Sequence, residues 1–313
     1  MSANLRAILA VLAGGLVSAG LVISVETQSL WRLLLLGLSP LPLFVSGLSA
    51  GPLTCLAAGL TGTVAVTLKM GSSAGPYYLA IGAVPVAILV WRALRIVRHH
   101  GQAFRENGGN LLLWLTGLGI AGVLGLVLYF ALFQEGLVSA IRERFDMAPQ
   151  AAAMLARIAP GLVAAIWMAV IAADGAIAEW LLAQRGLALR PPIDIKRLML
   201  PLWVGPVLMV AGLAGAILRQ GTVGIVCLNC AIVLVVPFAF LGLATIHAVA
   251  RRLRGGIILI GAAYALLLGS PALMGWPALL VFALGLAGLG SVDQVLDLRD
   301  LRGLRSGMKV KRK

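Results

Sequence analysis

Charge is what this sequence has least of. Only 12% of its 313 residues are Asp, Glu, Lys or Arg, about half the roughly 25% found in a soluble domain. With 61% of residues hydrophobic, the chain has too few polar side chains to cover itself against water, whereas a lipid environment needs none. Histidine and cysteine are scarce as well, at three each. Two of the histidines, His99 and His100, are neighbours in a basic loop, which leaves too few ligands for a histidine-based metal centre. Cys55, Cys227 and Cys230 all lie inside apolar stretches, so no extracellular disulfide framework is implied. Cys227 and Cys230 form a C-x-x-C, but without a thioredoxin-like context, and small apolar packing is the expected role. The phosphate-binding G-x-x-x-x-G-K-[S/T] and the zinc-binding H-E-x-x-H are both missing. The expectation is a protein that is not an enzyme and carries neither cofactor nor metal.

What the chain does contain is apolar runs, and its mean hydropathy is +1.02. Ten runs fall near residues 7–25, 31–48, 51–69, 74–97, 110–133, 158–183, 198–218, 222–250, 255–270 and 276–295. A spanning helix needs about 20 mostly apolar residues, so ten of them occupy about 200 positions and leave only short loops. The fold class expected is an all-α, polytopic transmembrane helical bundle of 8–10 spans, forming a single transmembrane domain over 1–313. Eight is the lower count because the second and third runs are parted only by the uncharged stretch 47–52, and the ninth, 255–270, is short. The first run follows Arg6 and has no A-x-A cleavage site, and it is read as a retained helix rather than a signal peptide.

The net charge of +14 is explained by position rather than by nucleic acid, for which no partner role is expected. Basic residues cluster between the apolar runs. If ten spans start from a cytoplasmic N-terminus, 19 of the 25 Lys and Arg residues fall in cytoplasmic segments and 6 outside. Positively charged loops stay on the cytoplasmic side, so both termini are expected there. The tail near 299–313, ending Lys309-Val310-Lys311-Arg312-Lys313, is suited to anionic headgroups of the lipid bilayer. Between the fifth and sixth runs, an external segment near 134–157 carries Leu137, Val138, Ile141 and Phe145 at helical spacing, opposed by Arg142, Glu143 and Asp146. That pattern fits an amphipathic helix in the membrane interface.

Packing in lipid relies on small residues. The 38 glycines include four-residue pairs such as Gly47/Gly51, Ala58/Gly62, Ala121/Gly125 and Ala211/Gly215, expected to serve internal contacts. Prolines interrupt several runs: Pro40 and Pro42, Pro85, Pro201 and Pro206, and Pro237. The run Gly37-Leu38-Ser39-Pro40-Leu41-Pro42 is similar to Leu268-Gly269-Ser270-Pro271-Ala272-Leu273, and paired interrupted segments can mark a transporter's binding site.

Polar side chains at membrane depth are the candidate ligand-binding residues. Asp174 lies about sixteen residues into the sixth run, where a carboxyl group needs a donor or a cation to answer it, with Glu179 five positions on. Asn229 sits in the eighth run between the two cysteines, and His247 closes that run near the inner interface. Asp293 and Asp297 stand one helical turn apart at the end of the last run, placed to pair with Arg299 or with Arg251, Arg252 and Arg254. For Asp174, Asn229, His247 and Asp293 the alternative to ligand binding is a structural hydrogen bond or ion network.

The stretch Gly242-Leu243-Ala244-Thr245-Ile246-His247-Ala248-Val249-Ala250-Arg251, the closing Gly285-Leu286-Ala287-Gly288 with Asp293 and Asp297-Leu298-Arg299, and the Pro-rich second run together resemble a family of bacterial membrane proteins known as domain of unknown function 2232, the YybS-like proteins. That family is grouped with the substrate-binding S-components of energy-coupling-factor transporters and with MreD-type rod-shape proteins. The resemblance implies an S-component-like bundle in the bacterial inner (plasma) membrane, and a small-molecule binding or transport component as its function. The alternative it implies is a membrane scaffold for a cell-envelope or biosynthetic complex. It also implies two partners, a small-molecule ligand and a membrane protein met through small residues of the first helix, where Ala3/Ala7 and Ala10/Gly14 have the spacing.

The charge asymmetry generates a first prediction. A reporter active only in the cytoplasm should be active at either terminus, and activity at one terminus alone would require an odd number of crossings.

Overall fold

The structure is a computed structural model that describes residues 3–26, 31–99, 102–132, 137–146, 148–195, 198–218, 221–274, 276–296 and 298–300. Asp297, residues 133–136 of the external segment and the basic tail from 301 onward lie outside the described residues. In hydrocarbon a segment must bond its own backbone, and the apolar runs accordingly fold as helices. In chain order these are α1 (Ala3–Ile23), α2 (Arg32–Gly37), α3 (Pro40–Ala50), α4 (Pro52–Met70), α5 (Ala74–Tyr78), a π-helical turn (Leu79–Ala83), α6 (Val84–Leu94), α7 (Gly108–Leu132), α8 (Leu137–Phe145), α9 (Pro149–Gln184), α10 (Val204–Ile217), α11 (Thr222–Ala250), α12 (Gly256–Met274) and α13 (Trp276–Leu296). Between α6 and α7 a small antiparallel hairpin pairs β1 (Ile96–His99) with β2 (Gln102–Arg105).

Among the described residues, seven helices are long and apolar enough to cross a membrane: Arg32–Ala50, Pro52–Met70, Ala74–Leu94, Gly108–Phe130, Pro149–Gln184, Thr222–Ala250 and Ala278–Leu296. Three shorter apolar helices, Ala7–Ile23, Val204–Ile217 and Gly256–Leu267, account for the other expected runs. As whole helices α1 has 21 residues and α12 has 19, and the described residues are consistent with the expected all-α polytopic helical bundle. The seventh run gives a markedly shorter helix. Pro201 lacks a backbone donor and pushes the residue before it out of helical geometry, so the run becomes helical only from Val204. Its 14 helical residues reach about 21 Å at 1.5 Å per residue, short of the ~30 Å hydrocarbon core.

The stretch 47–52 is resolved as a sharp turn. Gly51 adopts φ +107°, a conformation open to glycine and strained for other residues. Its N–H caps the Gly47 carbonyl at 2.8 Å, and Pro52 starts α4, where no donor is required. Most prolines act in this way rather than breaking spans: Pro40 opens α3 and Pro206 lies in the first turn of α10. Residues 268–273 lie within continuous α12, so only the 37–42 copy of the suspected repeat is interrupted.

Two compact units are distinguished by the residues that pack together, Met1–Leu118 with Trp167–Ile193, and Gly119–Ile166 with Asp194–Lys313. In the first, α1 is drawn against α3 and α4 through small residues. A Cβ on Gly14 would stand 2.9 Å from that of Ser46, and one on Gly15 would stand 2.9 Å from that of Thr61. Ser18 Oγ donates to the Ser39 carbonyl at 2.6 Å and lies 2.8 Å from the Tyr78 hydroxyl. Gly14 of the expected first-helix partner motif thus faces inward. In the second unit, α11 is the central helix. Gly242 of α11 lies against the Leu286 backbone of α13, and Gly290 of α13 lies against the Phe238 carbonyl. Away from these contacts, large apolar side chains point outward, including Leu53 at 80% exposure, Leu68 at 82% and Val295 at 81%. Such a surface belongs in lipid.

The α11–α13 contact is open to a direct test. Gly242→Leu forces a side chain into a neighbouring backbone and should cost about 2–3 kcal/mol as overpacking. Gly261→Leu, whose Cβ meets nothing within 4 Å, should leave the melting temperature in detergent unchanged. Equal melting of the two variants would contradict the contact.

Candidate functional site

The inner part of α9 belongs to the first unit. Met168, Ile171, Asp174, Ala178 and Leu182 are buried there at three- and four-residue spacing, which is one face of a helix. Two contacts hold that face in place. The Trp167 indole N–H donates to the Ile81 carbonyl at 3.0 Å, and the Phe44 ring lies against Gly175, 3.5 Å from where a Cβ would stand. Ile81 lies in the π-helical turn, and Pro85 just beyond that turn brings no backbone N–H to it.

Asp174 sits in the middle of this face at 2% exposure. Its Oδ2 is enclosed and meets no hydrogen-bond partner among the described residues. Glu179, five residues on, is in the opposite position. Its Oε2 accepts the Ile193 N–H at 2.9 Å, and its Oε1 lies 3.5 Å from Arg190 Nε. Arg190 also donates to the Ala93 carbonyl at 3.1 Å. This set ties the chain after α9 back to α6, and the Leu189 N–H reaches the Leu48 carbonyl at 3.0 Å. Of the two carboxyl groups on α9, that of Glu179 has partners at both oxygens, and Oδ2 of Asp174 has none among the described residues.

In the second unit Asn229 is fully buried and fully engaged. Its Oδ1 accepts the Gly161 N–H at 2.5 Å, while Nδ2 donates to the Arg157 carbonyl at 2.9 Å and to the Ile225 carbonyl at 2.7 Å. Gly161 N–H and Arg157 C=O are the donor and acceptor of a single i to i−4 helical step. They flank Pro160, a proline inside α9 whose ring crowds the preceding turn. The carboxamide therefore addresses both ends of the backbone step that the proline disturbs. The approach needs Gly161, because a Cβ there would stand 2.8 Å from Asn229 Oδ1.

His247 is half-buried near the end of α11. Its Nδ1 lies 2.9 Å from the Leu243 carbonyl and its ring meets Tyr264 edge-on at 5.8 Å. Asp293, at 1% exposure, pairs with Arg299, with Nε 2.7 Å from Oδ2. The approach is ionic rather than an aligned hydrogen bond, since neither Asp293 oxygen meets hydrogen-bond geometry. Arg299 also donates to the Leu198 carbonyl at 2.6 Å, Arg252 bonds the Arg299 carbonyl, and Gln294 donates to the Leu200 carbonyl at 3.0 Å. These bonds bind the irregular segment before α10 to the end of α13.

Asn229 and His247 lie about 27 Å apart along α11, at 1.5 Å per residue, and Asp174 belongs to the other unit. Cys55, Cys227 and Cys230 are free thiols. Two surface clefts, of about 410 and 540 Å³, are lined by Asn110, Leu113, Trp114, Gly117 and Leu118, and by Ile141, Glu143, Arg144 and Phe145. None of the four candidates is among these residues. Sequence reasoning missed the partners of Asn229, although Pro160 followed by glycine inside an apolar run was the available signal. It also missed the bidentate ion pair of Arg92 with Glu106 beside the hairpin, since fourteen residues and two strands separate the pair. The chain matches no protein-family model, no curated protein and no solved structure.

The Asn229 geometry predicts an order of stabilities. Asn229→Ala removes three hydrogen bonds and should cost about 2 kcal/mol, toward the upper end for polar contacts between membrane helices. Asn229→Asp should be worse, because a carboxylate presents only acceptors to two carbonyl oxygens. Thermal unfolding in detergent checks it, and an aspartate variant more stable than the alanine variant would contradict the assignment.

Proposed function

We propose that this integral membrane protein is a small-molecule binding or transport component, working in a bacterial plasma membrane with both termini cytoplasmic. The observation that carries the reading is Asp174, a carboxyl group enclosed among apolar residues with no hydrogen-bond partner for Oδ2. Ionisable groups at membrane depth are costly and are retained where they serve a ligand, an ion or a proton. Asn229, His247 and Asp293, proposed beside it on sequence grounds, are engaged with their own surroundings and are assigned structural roles. That leaves Asp174 as the ligand-binding residue, suited to a ligand that brings a positive charge or a hydrogen-bond donor. The resemblance to the domain-of-unknown-function 2232 family, and through it to S-components, supports the same reading. The cytoplasmic placement of both ends is supported by the 19 of 25 basic residues that a ten-span arrangement puts on that side.

Native mass spectrometry of the detergent-purified chain tests the proposal. The wild type should retain a small-molecule adduct that Asp174→Asn loses while keeping its melting temperature. A wild type without any adduct, or an adduct indifferent to the substitution, would contradict it. Recovery of a stable membrane-protein partner by crosslinking in cells, together with full activity of Asp174→Asn, would favour the scaffold instead.

A further inference from the structure

The cleft on α7 and the basic cluster beside it lie in the first unit and have no part in the Asp174 reading. Asn110, Leu113, Trp114, Gly117 and Leu118 line a space of about 410 Å³. Their spacing places them along one face of a helix, over about 12 Å of its length. The helix begins at its polar end, where Asn107 Oδ1 caps the Asn110 N–H at 2.8 Å. From there the cleft runs toward the apolar middle of α7. Gly117 forms an open part of its wall, and a Cβ there would meet nothing within 4 Å.

At the polar end the arginines are held in a defined arrangement. Arg92 forms a fork with Glu106, through Nε to Oε2 at 3.1 Å and through Nη2 to Oε1. Its guanidinium also lies 4.5 Å from the centre of the Trp114 ring, which lines the cleft. Trp91, at 47% exposure, has Arg92 at 5.6 Å and Arg95 at 5.4 Å from its ring. Glu106 offsets Arg92, while Arg95 is exposed and adds a positive charge. An exposed arginine beside two tryptophans at the polar end of an apolar groove matches the chemistry of one class of molecule, with an anionic head and a hydrocarbon tail.

We propose that the α7 cleft is a binding site for an anionic phospholipid, with its acyl chain along Leu113, Gly117 and Leu118 and its phosphate facing Arg95 beside Trp91 and Trp114. Gly117 leaves room for the chain, and Arg95 sets the preference for a negative headgroup. Arg92 is a positioning residue, since its charge is engaged by Glu106 and its plane orients Trp114.

The test uses the full chain incorporated into nanodiscs of equal parts phosphatidylglycerol and phosphatidylcholine, then delipidated stepwise in the mass spectrometer. The last lipid retained by the wild type should be phosphatidylglycerol, in several-fold excess over phosphatidylcholine. Arg95→Glu should abolish the excess. Gly117→Leu fills the groove without a clash and replaces a poor helix former by a good one, so it should keep the wild-type melting temperature while losing retention of both lipids. Glycerol 3-phosphate, which has the anion but no chain, should not displace the lipid. Equal retention of the two lipids by the wild type, full retention by Gly117→Leu, or displacement by glycerol 3-phosphate would each overturn the proposal.

Discussion

Hydrocarbon offers no hydrogen bonds, so each polar group placed in it must find its partner within the protein. The rest of this structure follows from that constraint. It makes the apolar runs helical, confines most prolines to helix starts, and sends the few polar side chains to particular backbone atoms. In the π-helical turn before Pro85, the Ile81 carbonyl accepts from the Trp167 indole. Where Pro160 disturbs α9, the Asn229 carboxamide takes both the Gly161 N–H and the Arg157 carbonyl. At the ends of α9 and α13 an arginine meets a carboxylate and a backbone carbonyl together, through Arg190 with Glu179 and Ala93 and through Arg299 with Asp293 and Leu198.

Against this pattern Asp174 stands out. It shares a helix with Glu179 and a comparable degree of burial, but not the partners. A group that serves packing alone would be replaced at no structural loss by an apolar side chain, since burying an unanswered polar atom costs free energy. A group that answers a ligand or a proton gains its partner only when that partner is present. The functional reading rests on this difference between two carboxyl groups five residues apart.

How much of this was legible beforehand depended on range. Helices and their lipid exposure follow from local composition, and all ten apolar runs are helical. Burial of Asp174 and Asp293 follows from their place in those runs. The sequence did not tell a spanning helix from a shortened one, because Pro201 acts through the geometry of its neighbours and moves the start of α10 to Val204. Nor did it separate a ligand-binding polar group from a structural one. Asn229 and Asp174 look alike in a hydropathy profile, and only the position of Gly161, 68 residues away, shows that the first is engaged. The stretches around Gly242 and around Leu286 pack on one another, a relation between distant segments that no local pattern encodes.

The claim that Asp174 is unanswered within the protein is tested most directly by its effect on stability without ligand. The chain should be stripped of bound small molecules and unfolded thermally as the wild type and as Asp174→Leu. If the carboxyl group has no internal partner, the variant melts at the wild-type temperature or above it. A loss of stability as large as that caused by removing the Asn229 carboxamide would mean that Asp174 is a structural hydrogen-bonding group, and would contradict the account.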